Sequence, residues 1–144
     1  MQKTYFPDSS SPASHWVVVD ADGQNLGRLA SRVARVLMGK DKPDFTPGQL
    51  RGDFVIVINA EKVAVTGKRL DEKVYYRASG FPGGLKKTGL RTMLDRHPER
   101  VVESAVRGML PHNRYGRRLL GRLKVYPGPN HPHEAQKPAA LAGS

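Results

Sequence analysis

The sequence predicts an α/β fold in a single domain, and three observations lead to it. Two short β-branched runs, Trp16 to Asp20 and Phe54 to Ile58, are apolar almost throughout. Strands covered on both faces carry such continuous runs, whereas half-exposed strands alternate. Between them Leu26, Leu29, Ala30, Val33 and Leu37 recur at the three- and four-residue spacing of an amphipathic helix. Strand, helix, strand in that order is a βαβ unit, because parallel neighbours need a crossover. Finally, 144 residues suit one domain with a core of its own.

Each element follows from local chemistry. Residues 1–14 are expected to form a flexible extension, with 8–14 too polar and too Pro-containing to join a core. Asp22-Gly23 marks a turn after the first strand, and Asn25 is placed to cap the helix. Arg28, Arg32 and Arg35 fall on a different face from its leucines, and Gly39 is placed to end it. A proline-bearing loop spans residues 40–52 before the second strand. Val63 to Val65 and Lys73 to Arg77 are candidates for further strands. Ser79 to Gly84 is a loop, too rich in Gly and Pro for anything else. Thr88 or Thr92 can begin a short helix that Pro98 interrupts. Pro98 then opens the next helix, with Val101, Val102, Ala105, Val106 and Met109 as its apolar face and Pro111 at its end. Leu119, Leu120 and Leu123 anchor one more short helix. Lys124 to Tyr126 reads as an edge strand. The main domain is thus expected over 15–126, followed by an extended tail over 127–144.

Charge narrows the function. Residues 1–85 hold 12 Lys/Arg against 9 Asp/Glu, whereas residues 86–126 hold 11 against 3. No acid occurs from Ser104 to His133. Cations gathered without interspersed acids point to a polyanionic partner rather than to a solvated helix face. There is no cysteine, so neither disulfides nor thiolate chemistry enter. The start of the chain lacks a signal-peptide pattern, and the longest apolar run is far below the ~20 residues of a membrane span. The expectation is a soluble, cytoplasmic chain.

Enzyme signatures fail one by one. Between the first strand and its helix, where a dinucleotide loop would lie, only Gly23 and Gly27 occur, at the wrong spacing. Thr66-Gly67-Lys68 resembles the end of a P-loop, but it lacks the earlier glycine and the following Ser or Thr. Asp20 and Asp22 could be paired carboxylates or magnesium ligands, yet ordinary turn chemistry explains them. No Gly-x-Ser-x-Gly elbow is present. His131 and His133 could meet a metal, but without cysteine or a carboxylate beyond Glu134, contact with phosphate or base is the better assignment. No cofactor or small-molecule substrate is therefore expected.

Three stretches fit nucleic-acid chemistry. In Lys68-Arg69 and Lys73 to Arg77, cations interleave with Tyr75 and Tyr76, suiting stacking beside phosphate pairing; one of the two tyrosines is expected to pack on the core instead. From Gly80 to Lys87, Gly83 and Gly84 would let backbone amides approach a phosphate beside Lys86 and Lys87. From Arg107 to Arg118, running on to Arg122 and Lys124, Pro111, Asn113 and Gly116 are expected to break up regular helix and present the arginines at varied angles.

The same residues carry a resemblance. Trp16 to Ala21 with Leu26 to Ala30, Gly52 to Val63, Thr66 to Lys68, Tyr75-Tyr76, Pro82 to Gly84, Arg96 to Arg100, Gly108 to Pro111, Leu123 to Tyr126 and His131 to His133 resemble the bacterial large-subunit ribosomal protein L-thirteen family. The likeness covers about residues 15–138, in order. It implies a mostly parallel, four-stranded sheet flanked by helices, with basic loops and extended termini. It further implies binding to large-subunit ribosomal RNA, neighbouring large-subunit ribosomal proteins, a part in subunit assembly, and no catalysis. Family RNA contacts would carry over to Arg107, Arg114, Arg117, Arg118, Arg122 and Lys124. With Arg28, Lys40, Lys42, Lys68, Arg69, Lys73, Tyr76, Arg77, Gly83, Gly84, Lys86, Lys87, Tyr115, His131 and His133, these make up the expected RNA-contacting set. Ala78, His112, Asp41 and Gly48 depart from the residues common in the family. The readings from other classes are a nucleotide-dependent enzyme built around Gly23 to Gly27 and an RNA-binding regulator acting outside the ribosome.

Overall fold

The computed structural model describes residues 3–8 and 14–141. Strand β1 (Trp16–Asp20), helix α1 (Leu26–Met38) and strand β2 (Phe54–Ile58) form the expected parallel βαβ unit, with Trp16 beside Phe54 and Asp20 beside Ile58. Asn25 caps α1, its side chain accepting the Gly27 N–H at 3.0 Å. Gly39 closes the helix at φ 76°, a left-handed conformation in which a Cβ is strained.

Further along come α2 (Arg69–Glu72), β3 (Val74–Ala78), β4 (Leu85–Gly89), α3 (Leu90–Arg96), α4 (Pro98–Met109), α5 (Arg114–Leu120), β5 (Leu123–Val125) and β6 (Ala139–Ala140). The main sheet runs β5-β2-β1-β6, parallel throughout. Alternation along the strands divides its faces. Val19, Val55, Val57 and Leu123 share a core with Leu29, Ala30, Val33 and Leu37 of α1, Val102 and Val106 of α4, and Leu119 of α5. Burying each such leucine or valine stabilises the fold by about 1.5–3 kcal/mol. The opposite face carries Trp16, Phe54 and the fully buried Ile56, and the segment after β5 lies over it.

That segment is where sequence and structure part most. The stretch expected as an extended tail supplies the fourth strand: β6 pairs with Val17 and Val18 of β1, and the Leu141 N–H donates to the Val18 carbonyl at 2.9 Å. Two alanines carry no strand signal of their own; pairing on an open edge makes them one. Conversely, the candidate strand at 63–65 contributes only a single bridge, Asn25 to Ala64. Residues 74–78 form instead a separate antiparallel hairpin with β4. β4, Leu-Lys-Lys-Thr-Gly, lies beyond the loop expected over Ser79 to Gly84 and takes in Thr88, a candidate helix start; it lacks alternating apolar residues, and backbone pairing holds it as a strand.

Smaller corrections follow. Helix α3 begins after Gly89 rather than at Thr88 or Thr92. Leu123 belongs to β5, not to the last helix, and Met109 is exposed rather than on the apolar face of α4. Within the 1–14 extension, residues 1–2 and 9–13 lie outside the described residues. Pro7 is buried, and the Pro7 and Asp8 carbonyls accept from Gln49 at 3.3 Å and from Arg51 at 2.6 Å. That stretch is docked on the loop preceding β2. No described helix is long and apolar enough to cross a membrane.

Candidate nucleic-acid interface

The arginine-rich stretch is built on a regular helix, contrary to the expectation that Pro111, Asn113 and Gly116 would break it up. Asn113 caps α5, accepting the Gly116 N–H at 2.9 Å. Gly116 is buried where a Cβ would overlap the Pro111 carbonyl oxygen. Its missing side chain is what lets the turn from α4 close onto α5. Leu119 is fully buried and Tyr115 and Leu120 pack beside it, which leaves Arg114, Arg117 and Arg118 exposed on the other side.

Pairing separates two kinds of cation. Before α4, Arg35 pairs with Asp41, Lys42 with Asp53, Arg51 with Asp44, Lys62 with Asp22 and Arg91 with Asp71. Among the described residues no carboxylate lies within ion-pair distance of Arg107, Arg114, Arg117 or Arg118. Arg107 and Arg117 line one small depression with Pro111 and His112. They therefore present a positive surface that the described residues do not neutralise.

The hairpin forms a second basic group. Cross-strand partners project on the same face, so Tyr76 sits with Lys87 and Arg77 with Lys86. Lys87 Nζ lies 5.9 Å from the Tyr76 ring centre, and that ring is 64% exposed. Tyr75 is half-buried, and burial pushes its hydroxyl above the ordinary value. Tyr75 is thus the more buried of the pair and Tyr76 the exposed one. Gly83 takes φ 71°, as a tight turn requires. The Gly84 N–H is already donated to Phe81 at 3.0 Å, so this amide is not open to a phosphate as expected.

Several members of the expected set have internal tasks. Lys42 lies 2.8 Å from Asp53 in a mostly buried pair. Tyr115 donates its hydroxyl to the Gln49 carbonyl at 2.9 Å, and burial raises its pKa against a smaller lowering by Arg122. Arg122 donates to the Gly52 carbonyl at 2.6 Å and covers the Phe54 ring at 4.9 Å. From there a column of rings runs across the sheet: Phe54 on Trp16 at 4.5 Å, Trp16 on His133 at 5.1 Å, His133 near His131 at 6.3 Å. His133 Nε2 and the Tyr126 hydroxyl share a hydrogen bond at 2.7 Å, and His131 Nδ1 accepts the His133 N–H at 3.2 Å. The two histidines fasten the chain after β5 to the sheet. Among the described residues no group of three His, Asp or Glu is placed to hold a metal.

Arg28, Lys40, Lys68, Arg69 and Lys73 are exposed, and Lys124 is half-exposed on the edge strand. Sequence reasoning missed a groove that joins the two basic groups. Asn25, Thr66, Tyr75, Ser104 and Met109 line it together with Arg69 and Lys73. Spacing alone put Met109 on the apolar face of α4, and it is instead a large apolar residue left 42% exposed in this groove. The last turn of α4 thus contributes Met109 to this groove and Arg107 to the α5 surface.

Comparison with known proteins finds similarity along nearly the whole chain. Residues 14–132 match the family described as "Ribosomal protein L13". The chain is 58% identical to "Large ribosomal subunit protein uL13" of Symbiobacterium thermophilum over 141 residues, covering 98% of this chain and 99% of that protein. It is 58% identical to the protein of the same name from Thermus thermophilus over 139 residues, covering 96% and 98%. A third, from Thermotoga maritima, is 57% identical over 141 residues, covering 98% and 95%.

Proposed function

The chain belongs to the ribosomal protein L13 family, and from that premise we propose that it binds large-subunit ribosomal RNA through one basic surface and so supports subunit assembly. It is a structural protein of the large ribosomal subunit in the cytoplasm, not an enzyme. The surface runs from the hairpin cations Arg77, Lys86 and Lys87, past Lys68, Arg69 and Lys73, to Arg107, Arg114, Arg117 and Arg118. Arg28, Lys40 and Lys124 are further candidate contacts. The single observation that carries this reading is the absence of carboxylate partners, among the described residues, for the arginines of 107–118. Cations left unpaired on a rigid scaffold have their counter-charge elsewhere, and folded RNA supplies it as phosphate. Neighbouring ribosomal proteins are the proposed partners of the exposed apolar side chains Tyr5 and Phe6.

Salt titration tests the reading. With six to ten phosphates neutralised, affinity for the RNA falls by about 10³–10⁵ between 50 and 200 mM salt. Replacing Arg117 and Arg118 together with alanine lowers the slope of log affinity against log salt by about 2 and leaves thermal stability nearly unchanged. A flat titration, or a collapse of stability in that variant, overturns the assignment.

A further inference from the structure

The groove between the first turn of α1, the base of the hairpin and the end of α4 has a volume of about 520 Å³. Pockets for small organic groups run to about 300–1,000 Å³, whereas a duplex cannot enter one. Its floor is apolar, with Leu26, Val65 and Leu90, and its rim carries Arg69 and Lys73 with no acid in the lining. Lys73 Nζ lies 5.5 Å from the centre of the Tyr75 ring. The end of α1 contributes little attraction for an anion here, since the Leu26 N–H goes to the Ala64 carbonyl and the Gly27 N–H to Asn25, each at 3.0 Å. What remains is an aromatic ring and an apolar floor beside two cations without carboxylate partners among the described residues. Asn25 and Thr66 also line it, the Asn25 side-chain amide donating to the Thr66 hydroxyl at 3.3 Å.

We propose that this groove receives one unpaired nucleotide of the bound RNA, its base against Tyr75 and its phosphate at Arg69 and Lys73. The inference rests on the reading of the basic surface as an RNA interface. Unpaired bases are recognised by stacking on aromatic side chains, with polar groups meeting their exposed edges. Because the last turn of α4 borders both this groove and the α5 arginines, a nucleotide held here belongs to the RNA lying on that surface.

Base-specific chemical probing of large-subunit RNA bound to the full chain tests it, using wild type, Tyr75→Phe, Tyr75→Ala and Ser104→Trp. Ser104 is exposed, so the tryptophan fills the groove without entering the core. One unpaired nucleotide is protected by wild type and by Tyr75→Phe, and becomes reactive with Tyr75→Ala and Ser104→Trp. Affinity in the latter two drops by roughly tenfold to a hundredfold, the worth of one stacked base, with the salt slope unchanged in Tyr75→Ala, which keeps both cations. If Tyr75→Ala fails to fold, Ser104→Trp alone decides. Salt-dependent binding with no nucleotide whose protection responds to Ser104→Trp overturns the groove assignment and leaves the basic surface standing. Absence of salt-dependent binding by wild type brings down both.

Discussion

Gly116 is the residue on which the arginine surface turns. With its Cα against the Pro111 carbonyl, Gly116→Ala forces the α4–α5 turn apart. Overpacking of this kind costs about 1–3 kcal/mol, which a thermal melt reads as a fall of about 3–10 °C. An unchanged melting temperature would mean the turn yields freely. Asp20 makes a different prediction. Its carboxylate accepts from the Asn59 side chain at 2.8 Å and from the Asp22 N–H at 3.0 Å, and the first of these chiefly holds its pKa below the ordinary 3.8. A carboxylate depressed in the folded state adds stability that is complete above the unfolded value and lost as pH falls through the folded one. Asp20→Asn therefore narrows the gap in stability between pH 7 and pH 3. The effect is about 0.5 kcal/mol or less for so exposed a group, and parallel pH profiles for the two proteins would refute it.

At the scale of elements, what could be read from the sequence is what periodicity and caps encode. Trp16–Asp20, Phe54–Ile58, the capped α1 and the Pro98 start of α4 lie where apolar spacing, Asn25, Gly39 and proline placed them. β4 and β6 were not legible. Each is a strand only because a partner strand offers it backbone hydrogen bonds, and neither Leu-Lys-Lys-Thr-Gly nor Ala-Ala encodes its partner. Gly116 misled for a related reason: a glycine spared for close approach looks in sequence like one spared for a break. The want of metal partners points His131 and His133 toward phosphate or base, and a histidine in a Pro-rich stretch gives no sign of the Trp16 ring that His133 meets. His133→Ala removes the ring contacts with Trp16, Tyr126 and His131 and one side-chain hydrogen bond from that latch, together worth about 1–3 kcal/mol. Hydrogen exchange at the Leu141 amide should accelerate while RNA affinity stays nearly constant. Unaltered exchange would show that β6 holds without the latch.

For the molecule as a whole, the overall charge of +11 is less informative than its division into paired and unpaired cations. The basic region was legible from acid depletion between Ser104 and His133. Which cations were already committed was not, because Lys42, Arg51 and Arg122 find their partners through folding. Variants of Lys42 or Arg122 should accordingly lose stability before they lose salt-dependent binding, and those of Arg117 and Arg118 the reverse. Thermal melts and salt titrations run on the same four single alanine variants distinguish the two groups.

β6 joins residues 139–140 to residues 17–18, nearly the full length of the described chain apart. During synthesis, then, β1 waits with one bare edge until almost everything else has been made. A ribosome stalled before residue 139 would carry a nascent domain whose sheet offers an unfilled seat, and a short peptide spanning 134–141, supplied in excess, is the natural candidate to occupy it.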